Sequence, residues 1–224
     1  MTYLTRIVNT HIMKASNWLN ILLGAGIVTM SVIVATGSKD NNNGTEESAQ
    51  ADGQNAIDCI MTRTSVREYT DKQIPDSVVE SLLKAGMAAP TAMNKQPWQF
   101  IVVTDPKIRQ AISDAGKPIR AKEAPLVIVA CGDPDKEDDG PAAEFWVQDV
   151  SAASENILLA AHAQGLGAVW CGIYPIEERV EQISKILGLP NNLIPLSAIC
   201  IGYPANNPTP KNKWNPEAIH YNKY

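Results

Sequence analysis

The residues best suited to chemistry lie in the run Thr62-Arg63-Thr64-Ser65-Val66-Arg67-Glu68-Tyr69. It holds two arginines four positions apart with two hydroxyl side chains between them, just before a predicted helix. Arginine forms paired, charge-assisted hydrogen bonds to phosphate oxygens, and Ser and Thr add neutral donors. The pattern is an anion cradle, although a basic surface turn would read the same way. Three distant stretches accompany it: Pro90-Thr91-Ala92-Met93-Asn94-Lys95-Gln96-Pro97-Trp98, Gly165-Leu166-Gly167-Ala168-Val169-Trp170, and Gly202-Tyr203-Pro204-Ala205 followed by Lys211 and Lys213. Other chemistries lack their signatures. No P-loop, GxGxxG, HExxH or GxSxG motif occurs, and Gly165-Leu166-Gly167 reads as a turn. The three histidines are scattered, with His162 on a predicted helix as a satisfied or exposed residue. No side chain stands out as a catalytic acid, base or nucleophile. That pattern fits a protein whose chemistry is carried by a bound group.

These residues need elements to position them. Residues 58–62 read as the end of a short helix leading into the arginine turn. Ser77 and Glu80 form a capping-box pattern, and Val78, Val79, Leu82, Leu83 and Gly86 follow at helical spacing. Residues 98–104 and 124–131 read as strands, the second apolar throughout as if covered on both faces. A short helix opens at Pro106. A long alanine-rich helix is expected over 142–163 with Gly165 as its C-cap, then a strand over 167–171. Ile176, Val180, Ile183 and Leu187 give an amphipathic helix ended by Gly188 and Pro190, and 194–203 a last strand. Cys171 and the other three cysteines are widely spaced with no CxxC pair, which argues against zinc and against a disulfide framework. The class is α+β or α/β, with a sheet covered on both faces.

The chain has 224 residues and a formal net charge of −5. With no basic stripe carrying interleaved aromatics, nucleic acid is not an expected partner. The N-terminus differs from the rest. Arg6 and Lys14 precede a stretch, 15–38, without any charged residue, the layout of a signal peptide and nearly the length of a membrane span. We read 1–38 as a signal peptide or membrane anchor and 39–55 as a polar, disordered linker, with the globular part from 56. Read from Met13, the segment is similar to a lipoprotein signal, but Ser38 stands where that signal needs Cys. The expected location is exported or membrane-associated, on the periplasmic side, and cytoplasmic if the segment is not a working signal.

From about Ile57 to Tyr224 the chain resembles the FMN-dependent nitroreductase family, with four motifs in the family's order. Arg63-Thr64-Ser65-Val66-Arg67 is similar to its N-terminal flavin-binding run, Pro90 to Trp98 to its second motif, Gly165 to Gly172 to the strand passing the flavin ring, and Lys211-Asn212-Lys213 to its late basic pair. The resemblance implies an α+β fold with a mixed sheet flanked by helices, and an intertwined homodimer holding FMN in each of two interface clefts. It assigns Arg63, Lys211 and Lys213 to the FMN phosphate and ribityl region. Thr64, Ser65 and Arg67 would meet the ribityl and the pyrimidine side of the ring. Pro90, Thr91, Ala92 and Asn94 would come from the partner subunit, and Gly172 would offer its backbone N–H near flavin N5.

The activity so implied is hydride transfer from NAD(P)H through flavin N5 to a nitroaromatic, quinone or similar electron-poor acceptor, by ping-pong kinetics in one cleft. Two other readings share the fold. One is reductive dehalogenation or oxygen-dependent flavin chemistry, which the short 116–140 region disfavours because it leaves no room for an inserted lid. The other is an exported FMN-binding protein without turnover, which the N-terminal segment favours.

Overall fold

A computed structural model describes residues 55–116, 119–206 and 208–224. The segment read as a signal, 1–38, and the linker 39–55 up to residue 54 lie outside the described residues, whereas Asn55, read as the linker's last residue, is helical. Among the described residues, no helix is long and apolar enough to cross a membrane.

Residues 55–62 are helical and lead into the arginine run. Four strands follow, β1 (Trp98–Val103), β2 (Leu126–Gly132), β3 (Gly167–Gly172) and β4 (Ile194–Gly202), and four longer helices, α1 (Asp76–Met87), α2 (Pro106–Asp114), α3 (Phe145–Ala163) and α4 (Glu177–Leu187). The sheet order is β1-β2-β4-β3, with every neighbouring pair antiparallel. Its mixed character is confined to one edge, where Ser65 makes a parallel bridge to Ala168 of β3.

Both faces of the sheet are covered, as the apolar runs require. On one face Val127, Val129 and Cys131 of β2 join Ala198 and Cys200 of β4, under Ile112 of α2 and Ile183 of α4. On the other, Leu126 and Ile128 join Ile199 and Ile201, under Leu82 of α1 and Ile157, Leu158 and Ala161 of α3. Removing each such side chain from water contributes about 1.5–3 kcal/mol before entropy is counted. α1 approaches α3 at Gly86, where an added Cβ would lie 2.9 Å from Ile157.

Several boundaries differ from the sequence reading: β2 runs Leu126–Gly132 rather than 124–131, and α3 begins at Phe145 rather than 142, after a 3-10 segment over Gly140–Glu144. The capping box at Ser77 does not form. α1 starts at Asp76 behind Pro75, whose φ of −63° already suits a helix start, and no side chain caps it. Ser77 is therefore inside the helix. The C-cap of α3 is Gln164, and Gly165, at φ +74°, is the left-handed residue after it.

The feature that sets the arginine run is a pair of glycines opposite each other in the β3–β4 ladder, Gly167 and Gly202. A Cβ on Gly167 would lie 2.6 Å from the Val66 side chain, and one on Gly202 would lie 2.7 Å from Tyr69 and from Pro125. The glycines let residues 65–69 settle onto the sheet edge. Backbone bonds fix them there: Val66 N–H to Ala168 O at 3.0 Å, Thr70 N–H to Tyr203 O at 2.8 Å and Ala205 N–H to Glu68 O at 3.0 Å. The Tyr69 hydroxyl lies 2.6 Å from Val66 O and 3.0 Å from Cys200 O, and burial pushes its pKa above the usual phenol range.

Gly167→Ala should lower stability by about 1–3 kcal/mol through overpacking against Val66. Gly172→Ala, whose Cβ would meet nothing within 4 Å, should leave it nearly unchanged. Thermal unfolding of the two variants checks the contrast, and equal midpoints would contradict it.

Candidate active site

The arginine run is an extended edge segment rather than a turn. In extended chain alternate side chains point to opposite sides. Val66 goes inward, where it is buried, and Arg63, Ser65 and Arg67 share the outer side. The chain after β4 returns past this place and adds Lys211 and Lys213. Together Arg63, Thr64, Ser65, Arg67, Lys211 and Lys213 line a cleft of about 150 Å³. Arg63 is oriented by Glu155 of α3, its Nε 3.1 Å from Oε1. That contact uses one edge of the guanidinium and leaves the terminal nitrogens to another acceptor. Four cations and two hydroxyls in so small a volume suit a doubly charged phosphate.

The second motif lines a different cleft. Pro90, Thr91 and Ala92 face Phe145, Gln148, Asp149 and Ala152 of α3 around about 360 Å³. Asn94 lies two residues further along the same loop. This loop feeds β1, at one edge of the sheet, whereas the arginine run lies along β3, at the other. The two clefts share no lining residue. One chain thus carries two separate clefts rather than a single pocket.

Gly172 ends β3 and is exposed. Its carbonyl accepts a hydrogen bond from Arg179 Nη1 at 3.1 Å. The open space at its missing Cβ lets a flat group lie against the backbone. Behind it lie the buried thiols of Cys171 and Cys200; the contact between them draws the Cys171 pKa down, against the effect of burial, and together with burial pushes that of Cys200 up. Trp170 is half-buried and packs against the core. His162 is held by Thr62, with Nε2 2.9 Å from Oγ1, which agrees with a structural role.

Sequence reading passed over Glu155 and Asp149. A signal existed: they are the only two carboxylates in α3, and a charge in a core helix needs a partner. It also missed Gly202 as the spatial partner of Gly167, since only the strand register brings them together.

Comparison with known proteins identifies the family. The model of the nitroreductase family matches residues 60–118 and 114–203. A putative NADH dehydrogenase/NAD(P)H nitroreductase of Methanothermobacter thermautotrophicus is 43% identical over 170 residues, covering 75% of this chain and 87% of that protein. The crystal structure of a putative NADH dehydrogenase/NAD(P)H nitroreductase from Parabacteroides distasonis matches with a TM-score of 0.72 and 42% identity, covering 75% of this chain and 98% of that one. An NADPH:FMN oxidoreductase from Vibrio harveyi, complexed with NAD+, matches with a TM-score of 0.68 and 29% identity over 76% of this chain and 78% of that one. With the matched family segments spanning both the arginine run and the loop before β1, the chain belongs to the nitroreductase family.

Proposed function

We propose that this protein is an FMN-dependent NAD(P)H oxidoreductase in which the cationic cleft holds the FMN phosphate. The observation that carries the reading is the convergence of Arg63, Arg67, Lys211 and Lys213 with two hydroxyls in one small cleft, in a chain whose net charge is −5. FMN held there would supply two-electron hydride chemistry between reduced nicotinamide and a nitroaromatic, quinone or similar electron-poor acceptor. The residues do the rest by binding and positioning. Arg63, Lys211 and Lys213 neutralise the phosphate, and Thr64 and Ser65 donate to the ribityl chain. Arg67 would meet the pyrimidine side of the ring, where a cation favours negative charge. Gly172 admits the ring edge against the backbone. The two substrates use one cleft in turn, so ping-pong kinetics are expected.

Pro90, Thr91, Ala92 and Asn94 stand at the far edge of the same chain, so we assign them to the flavin of a second copy in a homodimer. Exposed Ile57, Ile60 and Met61 on the leading helix, and Trp214, Ile219 and Tyr221 on the C-terminal tail, supply apolar surface for such an assembly.

The charge-free stretch 15–38 favours a second reading, a membrane-tethered or exported flavin holder beyond the reach of NAD(P)H. One experiment separates the two. Anaerobic addition of NADH or NADPH to the yellow protein should bleach the flavin absorbance near-stoichiometrically. A flavin that neither nicotinamide bleaches would overturn the oxidoreductase reading in favour of the holder.

Lys213→Ala should weaken FMN binding roughly ten- to a hundredfold, the loss of one charge-assisted hydrogen bond of about 1.5–3 kcal/mol, with no change in thermal midpoint of the flavin-free protein. An unaltered FMN dissociation constant would remove Lys213 from the phosphate site.

A further inference from the structure

The carboxylate of Asp149 has no part in the cationic cleft. It is 6% exposed, in the first half of α3. Both its oxygens lie within hydrogen-bond distance of the Ala92 N–H, at 3.1 and 3.0 Å. Burial raises its pKa, opposed by that same hydrogen bond. A carboxylate kept out of water is costly unless its contact has a use.

The loop that it holds is strained. Met93, Asn94 and Gln96 have φ of 49°, 56° and 52°, the left-handed region, without a glycine among them. Met93 and Gln96 each cost about 1–2 kcal/mol relative to the right-handed form, and Asn94 less, since asparagine tolerates this region. Strain of this kind persists where the surroundings over-determine the backbone, and it clusters at functional sites. The loop has internal bonds: Asn94 N–H to Thr91 O at 3.1 Å, Lys95 N–H to Ala92 O at 3.0 Å and Gln96 N–H to Thr91 Oγ1 at 3.2 Å. From outside, Lys95 pairs with Asp138 at 2.5 Å and Lys136 Nζ donates to Gln96 O at 3.2 Å, both at exposed positions. The Asp149 contact is the one that ties the loop to the central helix.

The bonds also fix what the loop presents. Gln96 Nε2 donates to Asn94 Oδ1 at 3.1 Å. With its oxygen so occupied, Asn94 keeps its amide N–H groups for another acceptor. The cleft of about 360 Å³ beside Thr91 and Ala92 has Asp149 in its wall.

We infer that Asp149 is a positioning residue for the flavin reaction: by gripping the Ala92 N–H it holds the left-handed turn in register, so that Asn94 presents its amide N–H groups to the bound FMN. The inference rests on the FMN reading above. It assigns a buried core-helix carboxylate a role in the cofactor site without direct contact to it.

The test uses the full chain and three variants. Asp149→Asn keeps an acceptor oxygen in place, Asp149→Ala removes it, and Ala92→Pro removes the donor while leaving Asp149 intact. FMN dissociation constant, visible circular dichroism of the bound flavin, kcat and KM for a quinone, and thermal midpoint are measured for each. Asp149→Ala and Ala92→Pro should weaken FMN about tenfold or more, lower kcat more than they change KM, and alter the visible dichroism. Asp149→Asn should restore all of these to within about threefold. If Asp149→Ala fails to fold, Ala92→Pro against Asp149→Asn makes the same comparison. Variants that shift only the thermal midpoint, with flavin affinity, dichroism and kcat as in wild type, would show a merely structural contact and overturn the inference alone. Wild-type protein that takes up no FMN would overturn the FMN reading and this inference with it.

Discussion

The close approach of Val66 and Tyr69 to the paired glycines Gly167 and Gly202 sets the position of everything in the cationic cleft. With a methyl group at either glycine, the segment 65–69 could not reach the sheet edge without displacing side chains at 2.6–2.7 Å. Because it does reach, strand alternation turns Val66 inward and Ser65 and Arg67 outward, and the backbone bonds to Ala168 and Tyr203 hold that facing. Tyr203 begins the return of the chain, so the same edge brings Lys211 and Lys213 beside Arg63 and Arg67. The concentration of cations is local. A chain of net charge −5 repels a phosphate at long range, but screening confines that effect to about 8 Å at physiological salt, and contact geometry decides binding.

The second constraint is the rod that joins the two clefts. Asp149 and Glu155 lie six residues apart on α3, about 9 Å along its axis and roughly 240° around it. One turns to the loop before β1, the other to Arg63. The central helix, packed into both the sheet and α1, thus fixes the loop at one edge and the arginine at the other. Relative placement of the two clefts is set by this one helix. The same geometry keeps the clefts apart within one chain, which is the physical reason to assign their completion to a second copy.

Much of this was legible in the sequence. The unbroken apolar runs of β2 and β4 announced a sheet buried on both faces, and the alanine-rich pattern of α3 its central place. The arginine run, the Pro90–Trp98 stretch and the late lysines were recognisable by residue type and order. What was not legible depends on register and approach. Arg63 to Arg67 looked like a turn because hydroxyl and basic residues are common there, whereas its conformation is imposed by pairing with β3, about a hundred residues away. Ser77 offered a good cap, but Pro75 set the helix start first. The left-handed Met93, Asn94 and Gln96 had no glycine to give them away, because the strain is sustained by Asp149 rather than relieved by residue choice.

The central claim, that each flavin site is built from the cationic half of one chain and the loop half of another, is tested most directly by complementation. A chain carrying Lys211→Ala and Lys213→Ala is co-expressed with a chain carrying Asn94→Ala, and FMN sites of wild-type affinity are counted in the purified mixture. In a two-fold dimer with shared sites, random pairing makes half the dimers mixed, and each of these holds one intact site, so roughly a quarter of the wild-type number should reappear. Recovery of no wild-type sites, with the mixture behaving as the average of its two parents, would contradict the shared-site account.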